Sequence, residues 1–354
     1  MNRIGKLKNI EILRFFFIIS VVCCHLKHGV IDSFYNILPL YDKLKENFFN
    51  SWIPVDFFFI ISGFFLFLTT NFNQDFLDFA KKKFLRLTPL VFYSLILYFI
   101  FSLFTPVEFL KYENVFTLFN LQNVGLTFRN GNVPASWFIS SLFWGLCFYF
   151  YFYKICDKRW FNLINACIIF LCHSFWIHSG NNNTENIVYV FNIGMMRAFA
   201  GIGTGYFISE IYKLNIEKIK NKVYNIYQKL LLTALEIYLL FFLVYYTFLH
   251  KLNYDNVLIF IIFFWLFLIK KGYLSQFFDN NFSVFLGQFT FAIFLTHQLI
   301  IKLWHFYICV DNSSWVILHP VINLVLLFTV IIGFGIFTYY AFEKPVTKYI
   351  KENF

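Results

Sequence analysis

Charge is scarce in this chain. Of its 354 residues only 14% are Asp, Glu, Lys or Arg, against about a quarter in a soluble globular domain, and the mean hydropathy is +0.64. That shortage excludes a water-soluble fold and leaves an all-α, polytopic integral membrane protein embedded in the lipid bilayer. The seven cysteines (Cys23, Cys24, Cys147, Cys156, Cys167, Cys172, Cys309) lack metal-ligand spacing. They sit mostly in apolar runs and read as small core hydrophobes, so no metal site is expected. No small-residue cleavage site follows the first apolar run, Ile10–Leu26, so that run reads as a retained span despite its basic flank. Internal repeats, low-complexity tracts and segments long enough for a soluble domain are not evident. A single membrane domain over 1–354 is the expectation.

What is abundant is aromatic and aliphatic: 55 Phe and 22 Tyr residues suit lipid-facing and bundle-filling positions. Apolar segments run approximately over 10–30, 54–70, 87–104, 137–153, 162–178, 187–208, 230–249, 257–269, 283–306 and 319–341. Several reach the roughly 20 residues a spanning helix needs. The net charge of +10 is distributed as a topology signal. Twenty of the 29 Lys and Arg residues fall in alternate inter-segment stretches, seven fall in the others, and Arg14 and Arg197 lie within spans. By the positive-inside rule this predicts about ten transmembrane helices with both termini cytoplasmic. A nucleic-acid footprint is thereby excluded. The stretches 31–53 and 105–136 are expected outside, and 209–229 is expected as a short basic cytoplasmic segment.

Two polar residues interrupt the first run, Arg14 and His25. Eleven positions are close to three helical turns, which places both on nearly one face about 16 Å apart along the axis. Intramembrane ionisable groups normally face a bundle interior or a water-filled path, so the stripe reads as a polar lane. Equally, Arg14 can snorkel to the cytoplasmic surface and His25 can be a satisfied bundle histidine. Asp56, near the start of the second run, is expected at a depth comparable to His25, where a carboxylate can orient an imidazole. It can also be a helix-start acid answering the helix dipole. Ser62 and Gly63 permit close helix approach. The run Lys81-Lys-Lys-Phe-Leu-Arg86 fits a positive-inside loop, and its cations would also hold a polyanion.

Together, Arg14-x10-His25, Val55-Asp-Phe-Phe-Phe-Ile-Ile-Ser-Gly-Phe-Phe-Leu66 and Arg86-Leu-Thr-Pro89 resemble acyltransferase family 3. Ser136-Trp-Phe-Ile-Ser-Ser-Leu142, Arg197-Ala-Phe-Ala-Gly-Ile-Gly-Thr-Gly205, Leu286-Gly-Gln-Phe-Thr-Phe-Ala-Ile-Phe-Leu-Thr-His297 and Phe342-Glu-Lys-Pro345 extend the resemblance over the chain in order. The resemblance implies O-acylation, commonly O-acetylation, of an extracytoplasmic or lipid-linked saccharide from cytoplasmic acyl-CoA. The location implied is a bacterial cytoplasmic membrane. Acyl-CoA is then a donor substrate, with no permanently bound cofactor. By the same resemblance Arg14 and His25 are the functional pair, Arg86 is the arginine before the proline, and Ser62, Gly63 and Trp137 fall on family motifs. The Trp137 stretch lacks the acid that some members carry, and the chain lacks the fused extracytoplasmic domain of longer members, which leaves the acceptor open.

On this reading Arg14, Arg86 and Lys82 would bind the phosphates of acyl-CoA, His25 would be general base, and Asp56 its orienter. Arg197 would take a functional or buried-pair role. His297, at a depth like that of His25, either binds substrate or packs. The other histidines receive no role. The rival class is a transporter or flippase for a lipid-linked glycan, although no inverted repeat or matched pair of broken helices stands out.

Overall fold

The computed structural model describes residues 7–26, 53–105, 109, 111–126, 131–179, 187–188, 191–249, 254–310 and 313–353. In chain order the elements begin with α1 (Lys8–His25), α2 (Ile53–Thr69), α3 (Phe76–Ser102), α4 (Lys111–Leu118), α5 (Ser136–Ile155) and α6 (Lys158–Ser179). A pair of two-residue antiparallel strands follows, β1 (Ile187–Val188) and β2 (Phe191–Asn192). Then come α7 (Ile193–Asn221), α8 (Ile226–Leu249), α9 (Tyr254–Ile269), α10 (Tyr273–Phe277), α11 (Asn281–Gly287) and α12 (Thr290–Trp304). The chain finishes with α13 (Ser313–Leu318), α14 (Pro320–Thr338) and α15 (Lys344–Asn353). Every one of the apolar segments lies at least partly on a helix. Among the described residues, five helical stretches are long and apolar enough to cross a membrane: Phe76–Ser102, Ser136–Ile155, Ile226–Tyr245, Thr290–Cys309 and Pro320–Asn353. Ile53–Thr69 and Asp255–Ile269 are apolar but shorter. The protein is an all-α membrane protein.

Side-chain pairings set the directions of the helices. Phe79 stacks on Phe150 at 4.1 Å and Phe84 meets Phe143 at 5.8 Å, so α3 and α5 are antiparallel. Asn165 donates to Gly203 O at 3.1 Å while Lys158 pairs with Glu210 at 2.7 Å, so α6 and α7 are antiparallel too. By contrast α2 and α7 are parallel, and glycine makes that contact possible. A Cβ on Gly63 would collide with the Ile202 backbone, and one on Gly205 with the Ile60 carbonyl and the Phe64 amide. Only residues without side chains let two backbones approach this closely.

Three boundaries differ from the sequence expectation. α3 begins at Phe76 because Asp75 caps it, accepting from the Leu77 amide at 2.9 Å. Lys81 to Arg86 are therefore helical rather than loop. α7 runs on to Asn221, so most of 209–229 is its continuation. The largest difference concerns 105–136, expected wholly outside. Residues 111–126 instead fold into the bundle, and Asn120 donates to Thr88 Oγ1 at 2.8 Å. Thr88 lies about 18 Å into α3 at 1.5 Å per residue. Irregular backbone at such depth must be satisfied inside the protein, and it is. The Asn120 carbonyl accepts from Ser140 Oγ at 2.6 Å and Trp144 Nε1 at 2.8 Å. Gln122 donates to Ser136 O at 2.7 Å, and Gly125 N donates to Asn192 Oδ1 at 2.6 Å. Asn120 itself has φ 54°, a left-handed conformation that asparagine tolerates.

Replacing Gly63 with Leu is expected to destabilise the purified protein by at least the ~1–3 kcal/mol of core overpacking, seen as a lower melting temperature or failure to accumulate. Gly333→Leu, where a Cβ meets nothing within 4 Å, is the matched control and should change neither.

Candidate active site

The site is built along α1, whose two ends differ in chemistry. At one end Arg14 pairs with Glu11 at 2.9 Å, one turn earlier on the same helix. Arg86 of α3 and Glu343, which closes a π-helical turn after α14, lie close enough to interact electrostatically with Arg14. Glu11 acts on Arg86 in the same way. Two guanidiniums and two carboxylates thus share one mouth of the bundle. Glu11 is held there by close packing: a Cβ on Gly287 of α11 would lie 2.6 Å from Glu11 Oε2. Lys82 has a different contact, donating at 3.5 Å to Gln74 Oε1 on the exposed surface.

At the other end His25 is the last residue of α1 and lines a pocket with Val21, Cys24, Val55, Ala135, Trp137, Phe294 and Gln298. The lining is mostly apolar. Gln298 Nε2 lies 3.0 Å from His25 Nε2. An amide nitrogen only donates, so His25 Nε2 accepts from Gln298 with its lone pair. His297, one residue before Gln298, is fully buried behind it. Its Nδ1 lies 2.7 Å from the Phe294 carbonyl, which only accepts, so the proton is on Nδ1. Among the described residues its Nε2 is buried without a hydrogen-bond partner, and its ring centre is 5.2 Å from that of His25.

The Asp56 carboxylate serves a different cation from the one the sequence pointed to. Arg197 grips it with Nε at 2.9 Å and Nη2 at 3.0 Å, and the two residues are 1% and 2% exposed. The reason is the glycine seam: Gly201, one turn beyond Arg197, packs on Phe59 one turn beyond Asp56, so α2 and α7 bring charge opposite charge. Arg197 is also flanked by the Trp137 and Trp176 rings at 5.2 and 4.7 Å. Asp56 therefore supports the site indirectly. It neutralises Arg197, which packs against Trp137, a wall of the His25 pocket.

The model of the family described as Acyltransferase domain matches residues 7–340. The chain belongs to acyltransferase family 3. It is a membrane acyltransferase. No curated protein and no solved structure matches it. In this member of acyltransferase family 3 the motif residues fall into three groups. Arg14, Arg86 and Glu343 gather at one mouth; His25, Trp137 and His297 cluster at the other end of α1; Ser62 and Gly63 belong to α2, where Gly63 serves the α7 seam. Nothing in the sequence singles out Gln298 or Trp176, since neither an amide nor a tryptophan among many aromatics carries a charge signal. Glu11 lies in the first apolar run and Glu343 in the Phe342–Pro345 stretch, but nothing local says that they face arginines.

Asp56→Asn leaves Arg197 as an uncompensated buried charge, at a cost of about 3–5 kcal/mol. A lower melting temperature or lost accumulation should result. Asp56→Leu combined with Arg197→Met should recover much of it.

Proposed function

We propose that this protein is an acyl-CoA-dependent O-acyltransferase, in the simplest case an O-acetyltransferase. It moves the acyl group to a hydroxyl of an extracytoplasmic or lipid-linked saccharide across a bacterial cytoplasmic membrane. Ten spans with both termini cytoplasmic place the Arg14 mouth inside and the His25 pocket towards the outside, consistent with the 20-to-7 distribution of basic residues. The helix directions agree: α1 lies alongside α11 and α12 with Glu11 beside Gly287 and His25 beside Gln298. The CoA phosphates would bind Arg14 and Arg86, with Lys82 at the periphery, exchanging Glu11 and Glu343 for phosphate oxygens. The pantetheine arm would follow the roughly 16 Å between Arg14 and His25.

One observation supports the chemistry above the others: a histidine nitrogen whose lone pair accepts from the Gln298 amide lines a mostly apolar pocket between α1, α2, α5 and α12. Such a base takes the proton of an entering sugar hydroxyl as that oxygen attacks the thioester carbonyl. No permanently bound cofactor is required. His25→Ala should lower acyl transfer by about 10²–10⁴-fold, the usual weight of a general base, while the protein still accumulates. The assay is label transfer from acetyl-labelled acetyl-CoA to envelope glycan by the purified protein. Undiminished transfer by that variant would remove His25 from the mechanism. Arg14→Ala and Arg86→Ala should each weaken acetyl-CoA binding roughly 10–100-fold, the loss of a charge-assisted hydrogen bond. Calorimetric titration with acetyl-CoA measures this. A glycan transporter, the competing class, would neither transfer label nor release CoA.

A further inference from the structure

Gln298 is the residue of this site that neither the family motifs nor the ionisable residues brought into view. It lines the pocket, and its side-chain nitrogen is 3.0 Å from the nitrogen that takes the proton. A primary amide nitrogen carries two N–H donors, and only one can face His25 Nε2. Among the lining side chains, Val21, Val55, Ala135 and Phe294 offer no donor at all. The Cys24 thiol is a weak one. Trp137 has an indole N–H, and the face of its ring is engaged with Arg197. The Gln298 amide is a donor within hydrogen-bond distance of His25 Nε2. His297 backs this arrangement, since its own Nδ1–H is spent on the Phe294 carbonyl and holds that turn of α12 in place.

Building on the transferase reading, the geometry points to Gln298 as the side-chain oxyanion donor of the transfer step. The entering hydroxyl displaces the amide from His25 Nε2 and gives that nitrogen its proton as the new C–O bond forms. The thioester carbonyl π electrons move onto oxygen, and the released Gln298 N–H groups donate to that oxyanion. Collapse restores the carbonyl, breaks the C–S bond, and returns the proton from His25 to the CoA thiolate, so thioester and alcohol become ester and thiol. An amide donor of this type in a water-poor site acts on the transition state far more than on the ground state.

The test uses the full-length protein in detergent micelles, with acetyl-CoA as donor and isolated envelope glycan as acceptor, following thiol release and label transfer. Gln298→Met keeps size without a donor, whereas Gln298→Glu, assayed at alkaline pH, can hold the imidazole but cannot donate. Both are expected to lose about 10²–10³-fold in kcat with KM for acetyl-CoA little changed. Activity in Gln298→Glu near wild type, with Gln298→Met inactive, would make Gln298 a positioning residue and overturn the assignment. Retained kcat in Gln298→Met would overturn it outright. If Gln298→Glu does not accumulate, Gln298→Lys, a donor that cannot accept, takes its place. Activity above that of the Met variant then supports the assignment, and activity equal to it refutes it. A wild-type protein without turnover would sink the transferase reading itself. An active wild type with an unaffected Gln298→Met sinks only the role of Gln298.

Discussion

A full charge withdrawn from water is held at acceptable cost only when an opposite charge and good hydrogen-bond geometry meet it. The Asp56–Arg197 pair satisfies that condition, and the surrounding helices are arranged to let it do so. Bringing the two residues together needs α2 and α7 to run parallel with their backbones nearly touching, which Gly63, Gly201 and Gly205 allow. Trp137 and Trp176 flank the guanidinium and keep it dry, adding a cation–π attraction. Because Trp137 also lines the His25 pocket, the ion pair helps fix a wall of the site without entering it.

The same rule governs the segment 111–126. Backbone that leaves helical geometry inside a bundle must bring its own partners, and this one does so with Asn120, Gln122 and Asn123 set against Ser136, Ser140 and Ser141 at the start of α5. Asn123 also lies beside Gly194 and Trp137, since a Cβ on Gly194 would run into both. The polar insertion and the ion pair thus both pack near the tryptophan. Both contacts fall at the start of α5, which carries Ala135 and Trp137 into the pocket.

Along α1 the chemistry changes from charge to lone pair. Near Arg14 four ionisable groups interact, two guanidiniums and two carboxyl groups. Near His25 the surroundings are mostly apolar and the polar atoms few. An α-helix is the simplest way to hold two unlike sites at a set separation, because its rise per residue is constant.

Much of this was legible in the chain before any coordinates. The apolar runs locate the helices, since burial in hydrocarbon selects long apolar stretches, and the spacing of Arg14 and His25 states their separation, since the helix repeat is invariant. The ordered motifs give the family. Partner identity was not legible. Asp56 and His25 stand at similar heights on neighbouring helices, and only the glycine seam between α2 and α7 gives the carboxylate to Arg197. The inward fold of 111–126 was hidden because its polar residues look like those of any exposed loop. Gln298 was silent because an uncharged amide carries no periodicity or charge signal. Local sequence thus determined which segments are helices and which residues share a face, because those depend on neighbours a few positions away. Which side chain meets which across the bundle was decided by tertiary packing, where contacts join residues as distant as Asp56 and Arg197 or His25 and Gln298.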